Sequence, residues 1–93
     1  MFERILNRMR DKVRALQYVM TLHAEEEMDG DDLTIFDVEQ AILTGQIVER
    51  QKDAETGEWK YVIKGQSVEG GDVLVVSKLS STGRLVIITV YVE

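Results

Sequence analysis

The chain has 93 residues, a length that predicts one domain over residues 1–93. It contains no cysteine, and this excludes disulfides, thiolate zinc sites and cysteine nucleophiles. Its net charge of −6 argues against nucleic-acid binding over the whole surface, because phosphate contacts need clustered Lys and Arg.

Charge is unevenly distributed along the chain. Residues 1–20 contain five bases and two acids, whereas residues 25–39 contain eight acids and no base. This asymmetry predicts a basic end, which could carry a local basic patch, and an acidic end, which could meet a basic partner. No signal peptide is visible, and the longest apolar runs are too short to span a membrane as helices. We therefore expect a soluble, cytoplasmic protein with no membrane partner.

Apolar residues recur at helical spacing near the N-terminus, namely Phe2, Ile5, Leu6, Met9, Val13 and Leu16. Polar residues fill the positions between them, so the pattern predicts an amphipathic helix over about residues 2–16. We expect its apolar stripe to pack on the protein's own sheet. The alternative is that this first helix forms a homodimer or binds a partner protein.

The segment after this helix has two interpretations. Gln17 to Met20 suits an extended segment, after which Thr21 can cap a short helix over about residues 22–28. The alternative is one long helix over residues 2–28, since no residue in between forbids it.

The next helix has clear signals at both ends. Thr34 is followed three residues later by Asp37, which is a capping-box-like pair. The helix is predicted over about residues 35–44, and Gly45 is its expected left-handed stop.

After Gly45 the hydrophobic period changes to two, which is typical of strands. Four strands are predicted, over residues 46–51, 59–64, 73–79 and 84–92. Trp59, Tyr61 and Ile63 are expected to share one face. Because the helices precede a run of strands, the predicted fold is α+β, with helices packed on one face of a four-stranded antiparallel sheet.

His23 is the only histidine and the natural candidate for a general acid or base, because its ordinary pKa lies near neutral pH. A lone histidine is more often a structural hydrogen-bonding residue, so both interpretations stay open. It has no second His or Cys at metal-ligand spacing, and we expect neither a metal nor a cofactor.

Five bases fall on predicted strands or at their ends: Arg50, Lys60, Lys64, Lys78 and Arg84. If several share one face of the sheet, that face could hold a phosphodiester. The alternative is that they are ordinary solvent-facing residues.

A metal-independent ribonuclease needs a base for the 2′-hydroxyl, an acid for the 5′-oxygen leaving group, and cations for the charged transition state. The candidate catalytic residues are His23, Arg84 and Lys78. The candidate substrate-binding residues are Arg50, Lys64, Tyr61 and Tyr91.

Several short motifs resemble one family, the domain-of-unknown-function 4258 family, over about residues 17–92. The motifs are Thr21-Leu22-His23-Ala24, Asp32-Leu33-Thr34, Ala41-Ile42-Leu43-x-Gly45 and the closing Gly83-Arg84-Leu85-Val86-Ile87-Ile88-Thr89-Val90-Tyr91. The resemblance implies a small α+β fold similar to RelE-type toxins, many of which are metal-independent ribonucleases.

The same resemblance implies a small zinc-finger antitoxin as partner and RNA as substrate, with His23 as the leading active-site residue and Arg84 as a phosphate contact. Many members carry Arg directly before the methionine of the short helix, where this chain has Glu27. That difference and the acidic surface favour the alternative, a non-enzymatic protein-binding or dimeric assembly module.

Overall fold

Three helices and five strands build the fold, and the computed structural model describes all residues, 1–93. In chain order they are α1 (Glu3–Arg14), β1 (Tyr18–Met20), α2 (Leu22–Gly30), α3 (Ile35–Thr44), β2 (Gln46–Lys52), β3 (Trp59–Gln66), β4 (Asp72–Leu79) and β5 (Leu85–Val92). None of the helices is both long enough and apolar enough to cross a membrane.

The chain breaks between α1 and α2, so the alternative of one long helix is wrong. α1 ends in a Schellman motif, in which the N–H of Gln17 donates to the carbonyl of Lys12 at 2.8 Å. Leu16 there takes a left-handed conformation, with φ of 56°. α2 is two residues longer than predicted and ends in the same way, with Asp32 at φ of 54°.

α3 begins and ends as predicted, because its capping box forms completely. The Thr34 hydroxyl accepts from the N–H of Asp37, and the Asp37 carboxylate accepts from the N–H of Thr34 at 2.9 Å. The same carboxylate also accepts from the N–H of Val68, in the loop between β3 and β4, at 3.0 Å. These backbone donors hold the pKa of the Asp37 carboxyl below its ordinary value.

Gly45 ends α3 for a reason other than the predicted one. Its φ is −88°, so the expectation of a left-handed stop is wrong. A Cβ at Gly45 would lie 2.5 Å from the carbonyl oxygen of Ala41 and 2.7 Å from that of Lys64. A Cβ at Gly65 on β3 would overlap the same Ala41 oxygen. Both glycines are therefore needed because α3 approaches β3 closely.

The strands form one mixed sheet in the order β1-β5-β4-β3-β2, with β1 parallel to β5 and all other pairs antiparallel. The prediction of four antiparallel strands is therefore wrong in strand number and in direction. Residues 17–20 were predicted to be extended, and β1 (Tyr18–Met20) confirms this, but its three residues are too few to show a strand period from which a fifth strand could be predicted. Its partner also lies more than sixty residues away in sequence, where local patterns give no signal.

All three helices pack on one face of the sheet, as predicted. One core joins them to this inner face, and its buried residues are Leu6, Met9, Val13, Ala24, Met28, Val38, Ala41, Ile42, Tyr61, Ile63, Val73, Val75, Leu85, Ile87 and Val90. The opposite, outer face has no helix over it. Its cross-strand rows follow from the register and include Lys64, Leu74 and Tyr91 in one row and Val62, Val76 and Thr89 in the next.

The apolar stripe of α1 is part of this core, which agrees with packing on the protein's own sheet. Arg10 on the same helix reaches α3, where its guanidinium donates to the carbonyls of Ile42 at 3.2 Å and Gly45 at 2.7 Å. Arg10 thereby supplies hydrogen-bond donors to carbonyls at the C-terminal end of α3. Its positive charge also interacts favourably with the negative end of the helix dipole. A homodimer through the first helix stays a prediction and would have to use its exposed residues.

Candidate functional site

The predicted site residues separate into two groups at opposite ends of the sheet. His23, Lys64 and Tyr91 lie toward the end of β5. The other four, Arg50, Tyr61, Lys78 and Arg84, lie toward its start. The distance along β5 from Leu85 to Val90 is about 17 Å, at roughly 3.3 Å per residue. The structure therefore brings neither Arg84 nor Lys78 next to His23.

His23 is the second residue of α2, and the first turn of this helix is fastened to β5. The side chain of Thr21 caps the helix by accepting from the N–H of Ala24 at 3.1 Å. The same hydroxyl donates to the carbonyl of Ile88 at 2.9 Å, and the Thr21 N–H donates to that of Ile87 at 3.0 Å. The helix start thus lies against the edge of β5 that β1 leaves uncovered.

His23 is paired with Glu27, one helical turn further along α2. The imidazole Nε2 lies 3.2 Å from the Glu27 Oε1, and the two side chains are 65% and 25% exposed. That same Oε1 accepts from the N–H of Val90 on β5 at 3.1 Å. The carboxylate can therefore orient the imidazole, while Nδ1 is left for exchange with a substrate.

Sequence reasoning treated Glu27 only as the loss of a cation beside His23. Its contact with the imidazole could have been found from the i, i+4 spacing, which places both side chains on one face of a helix. The hydrogen bond to Val90 could not, because it joins residues 63 positions apart.

Tyr91 and Lys64 belong to the same end of the sheet. Tyr91 follows Val90 directly, is 39% exposed, and pairs with Leu74, which pairs in turn with Lys64. The Lys64 ammonium lies 2.9 Å from the Glu93 carboxylate, and this hydrogen bond raises the pKa of Lys64 above its ordinary value. This end therefore holds an imidazole–carboxylate pair at the edge of β5, with a phenol and an ammonium in one row of the outer face.

One residue of the second group, Tyr61, lines an open cleft of about 410 Å³. Its lining residues are Ile5, Arg8, Glu58, Trp59, Tyr61, Leu79, Ser80 and Ser81. The Arg50 guanidinium stacks on the Trp59 ring at 3.9 Å from the ring centre, and Tyr61 meets Phe2 edge to face. Lys78 lies 3.4 Å from Glu58, and the N–H of Arg84 donates to the Ser80 hydroxyl. Trp59 and Arg8 were not among the predicted site residues.

Three of the strand-borne lysines share the outer face, as their alternation allows: Lys60, Lys64 and Lys78. Arg50 instead lies on the inner face, where it pairs across strands with Tyr61. Because Lys64 and Lys78 each have a glutamate partner, much of the positive charge on the outer face is neutralised. No group of three or more His, Asp and Glu side chains is arranged to hold a metal ion.

A family model described as Domain of unknown function (DUF4258) matches residues 20–92. The chain belongs to the DUF4258 family. The DUF4258 match runs from the end of β1 to the end of β5, so it includes His23, Glu27 and every strand-borne candidate, and it omits α1. No curated protein and no solved structure matches the chain.

Proposed function

We propose that this DUF4258 protein is a metal-independent endoribonuclease of the RelE toxin type, and that it works with a small antitoxin protein. The observation that supports the proposal is the exposed imidazole of His23, which Glu27 holds at the free edge of β5. A carboxylate behind an exposed imidazole is a common arrangement for moving a proton at neutral pH.

The reaction would be an attack of a ribose 2′-oxygen on the adjacent phosphorus. His23 would take the 2′-hydroxyl proton, the new P–O bond would form, and the bond to the 5′-oxygen would break. Tyr91 is the nearest candidate to protonate that leaving oxygen, and Lys64 is the candidate cation at this end of the sheet. Arg84 and Lys78 would contact other phosphates of the RNA, since they lie at the end of the sheet opposite His23.

The test is cleavage of single-stranded RNA by the purified protein in EDTA, which removes metal-dependent contaminants. Removing a general acid or base costs about 10²- to 10⁴-fold in rate, so His23→Ala should lose at least a hundredfold. Arg14→Gln, a change at an exposed residue of α1, is the matched control and should cleave normally. The proposal fails if the wild-type protein leaves RNA intact, or if His23→Ala cleaves as fast as wild type.

A second candidate function is protein binding without catalysis, and it is favoured by a depression at the acidic end. Phe36 and Val68 are 67% and 64% exposed there, in a space of about 640 Å³ that Asp31, Asp32 and Glu69 also line. Exposed apolar side chains surrounded by acids suit a basic partner segment with an apolar anchor.

This candidate is tested by co-expression with the protein encoded by the adjacent gene, followed by pull-down. Phe36→Ser should abolish the complex, whereas Val48→Ser, a change at an exposed valine of β2, should not. Equal recovery with both variants, or no complex with the wild type, would exclude this surface as the binding site.

A further inference from the structure

The cleft beside Trp59 is open because the helices do not cover the whole inner face. It is lined by Ile5 and Arg8 of α1 and by Leu79, Ser80 and Ser81 at the end of β4 and in the turn after it. Trp59 also lines the cleft, and 42% of its surface is exposed. A tryptophan that is partly exposed in a cleft offers the uncovered part of its aromatic ring to a ligand.

Cations surround this indole although the protein as a whole is acidic. Arg50 and Lys52, on β2, lie 3.9 and 5.7 Å from the ring centre, and Arg8 lines the cleft. Since β2 and β4 flank β3 on opposite sides, the cations of β2 and the cleft lie on opposite sides of Trp59. The one acid that lines the cleft, Glu58, is paired with Lys78 at 3.4 Å.

We propose that this cleft is a binding site for single-stranded nucleic acid. One unpaired base would stack on Trp59 from the β4 side, with phosphates on either side of it held by Arg8, Arg50 and Lys52. Aromatic side chains flanked by cations bind single strands in this way, because every base has a π-face and every nucleotide has a phosphate. The serine hydroxyls of Ser80 and Ser81 can accept and donate hydrogen bonds at the base edge.

The choice of ligand rests on the proposed function, but the site is separate from the His23 end of the sheet. It would hold the strand at a distance from the point of cleavage, which positions RNA without taking part in the reaction. An acidic protein segment would use the cations but would gain little from the exposed part of the indole ring. The test therefore measures binding and stacking rather than cleavage.

The experiment uses fluorescence of Trp59, the only tryptophan of the chain, in the His23→Ala protein so that RNA stays intact. Ten-nucleotide oligouridylate is added at 50 mM salt, beside its deoxy counterpart and an abasic oligomer with the same number of phosphates. Stacking should quench the fluorescence with RNA or DNA, and the abasic oligomer should bind at least fivefold more weakly. The RNA and DNA arms show whether the 2′-hydroxyl contributes.

Variants test the same site by anisotropy of a labelled oligonucleotide. Trp59→Leu should weaken binding about fivefold or more, Trp59→Phe should retain part of it, and Arg50→Gln should weaken it and reduce its salt dependence. Arg14→Gln is the control, and melting curves verify that each variant folds. Unchanged fluorescence at saturation, equal binding of the abasic oligomer, or wild-type affinity of both Trp59→Leu and Arg50→Gln would overturn the inference. Binding without cleavage by the wild-type protein would instead overturn the proposed ribonuclease and leave this site standing.

Discussion

Glu27 is the residue at which folding and the proposed chemistry can be separated. Its Oε1 accepts from the N–H of Val90 and lies within 3.2 Å of the His23 imidazole. Glu27→Ala removes both contacts. Glu27→Gln keeps an oxygen that can accept from Val90 but removes the negative charge beside the imidazole.

The expected loss of stability follows from the burial of the donor. Val90 is fully buried, so the alanine variant leaves its N–H without an acceptor, which costs about 1–3 kcal/mol. A 93-residue domain has a free energy of unfolding of about 5–14 kcal/mol, so the loss is a substantial fraction. Since 1 kcal/mol corresponds to about 4–8 °C in a domain of this size, Tm should fall by several degrees or more. Glu27→Gln should lose less than about 1 kcal/mol.

The assay is urea unfolding followed by circular dichroism and by Trp59 fluorescence, with RNA cleavage measured on samples that are fully folded. Glu27→Gln should be nearly as stable as wild type but should cleave more slowly, because an amide stabilises the protonated imidazole less than a carboxylate does. Surface substitutions that touch no special feature change the free energy of unfolding by up to about 0.5 kcal/mol. If the free energy of unfolding of Glu27→Ala lies within that range of wild type, the contact with β5 contributes nothing to stability. If Glu27→Gln cleaves at the wild-type rate, Glu27 has only a structural role.

Three further predictions concern stability. Gly65→Ala should lower the free energy of unfolding by about 3 kcal/mol or more, because its Cβ would overlap α3. Gly30→Ala is the control: no atom lies within 4 Å of the added Cβ, so this change should raise the free energy of unfolding by about 0.5 kcal/mol. Equal effects of the two changes in urea melts would contradict this. Leu16→Gly should raise the free energy of unfolding by about 1 kcal/mol in the same melts, because the exposed Leu16 has a φ of 56°, a conformation that glycine adopts without strain. A loss of stability would show that the strain is absent. Burial first, and then the hydrogen bond to Glu39 at 2.5 Å, raise the pKa of the Tyr18 phenol from 10.0 to about 12. The contribution of Tyr18 to the free energy of unfolding is therefore fully present below pH 10 and is lost as the pH rises toward 12. Tyr18→Phe should lack this alkaline loss, and ultraviolet titration of tyrosinate together with melts from pH 9 to 12 will show whether it does.

Local signals in the sequence predicted those elements whose determinants are local. α3 was located to the residue, because the capping pair of Thr34 and Asp37 acts within three positions and Gly45 marks the end of the helix, although the packing that requires this glycine involves β3. β1 could not be located in this way, since three residues carry no period and its pairing with β5 depends on the whole intervening chain. The reason predicted for Gly45 was wrong, because the sequence alone does not distinguish a glycine that adopts a left-handed conformation from one that leaves room for a neighbouring backbone.

The candidate site was predictable as a set of residue types but not as an arrangement. Strand alternation correctly predicted the face shared by Trp59 and Tyr61. It could not show that the residues of the set occupy two ends of the sheet, because that depends on strand order and on the direction of β5. Trp59 was missed as a ligand-binding candidate because it resembled a core residue, and its exposure results from the helices leaving that corner of the inner face open.

The two ends of the sheet together would explain how an acidic protein binds RNA, as we propose for this one. Arg8 lines the cleft, and Arg50 and Lys52 lie against its Trp59 ring, so an RNA strand would be attracted there first. The cleft and His23 lie toward opposite ends of the sheet, and since Leu85 to Val90 alone spans about 17 Å, a strand that reaches both would extend over roughly that length. Beyond His23 the acids of α2 and the following loop would repel phosphates, so the strand would end its contact near the imidazole. The depression containing Phe36 and Val68 then stays free of RNA, and a basic partner protein could bind there without competing for the strand.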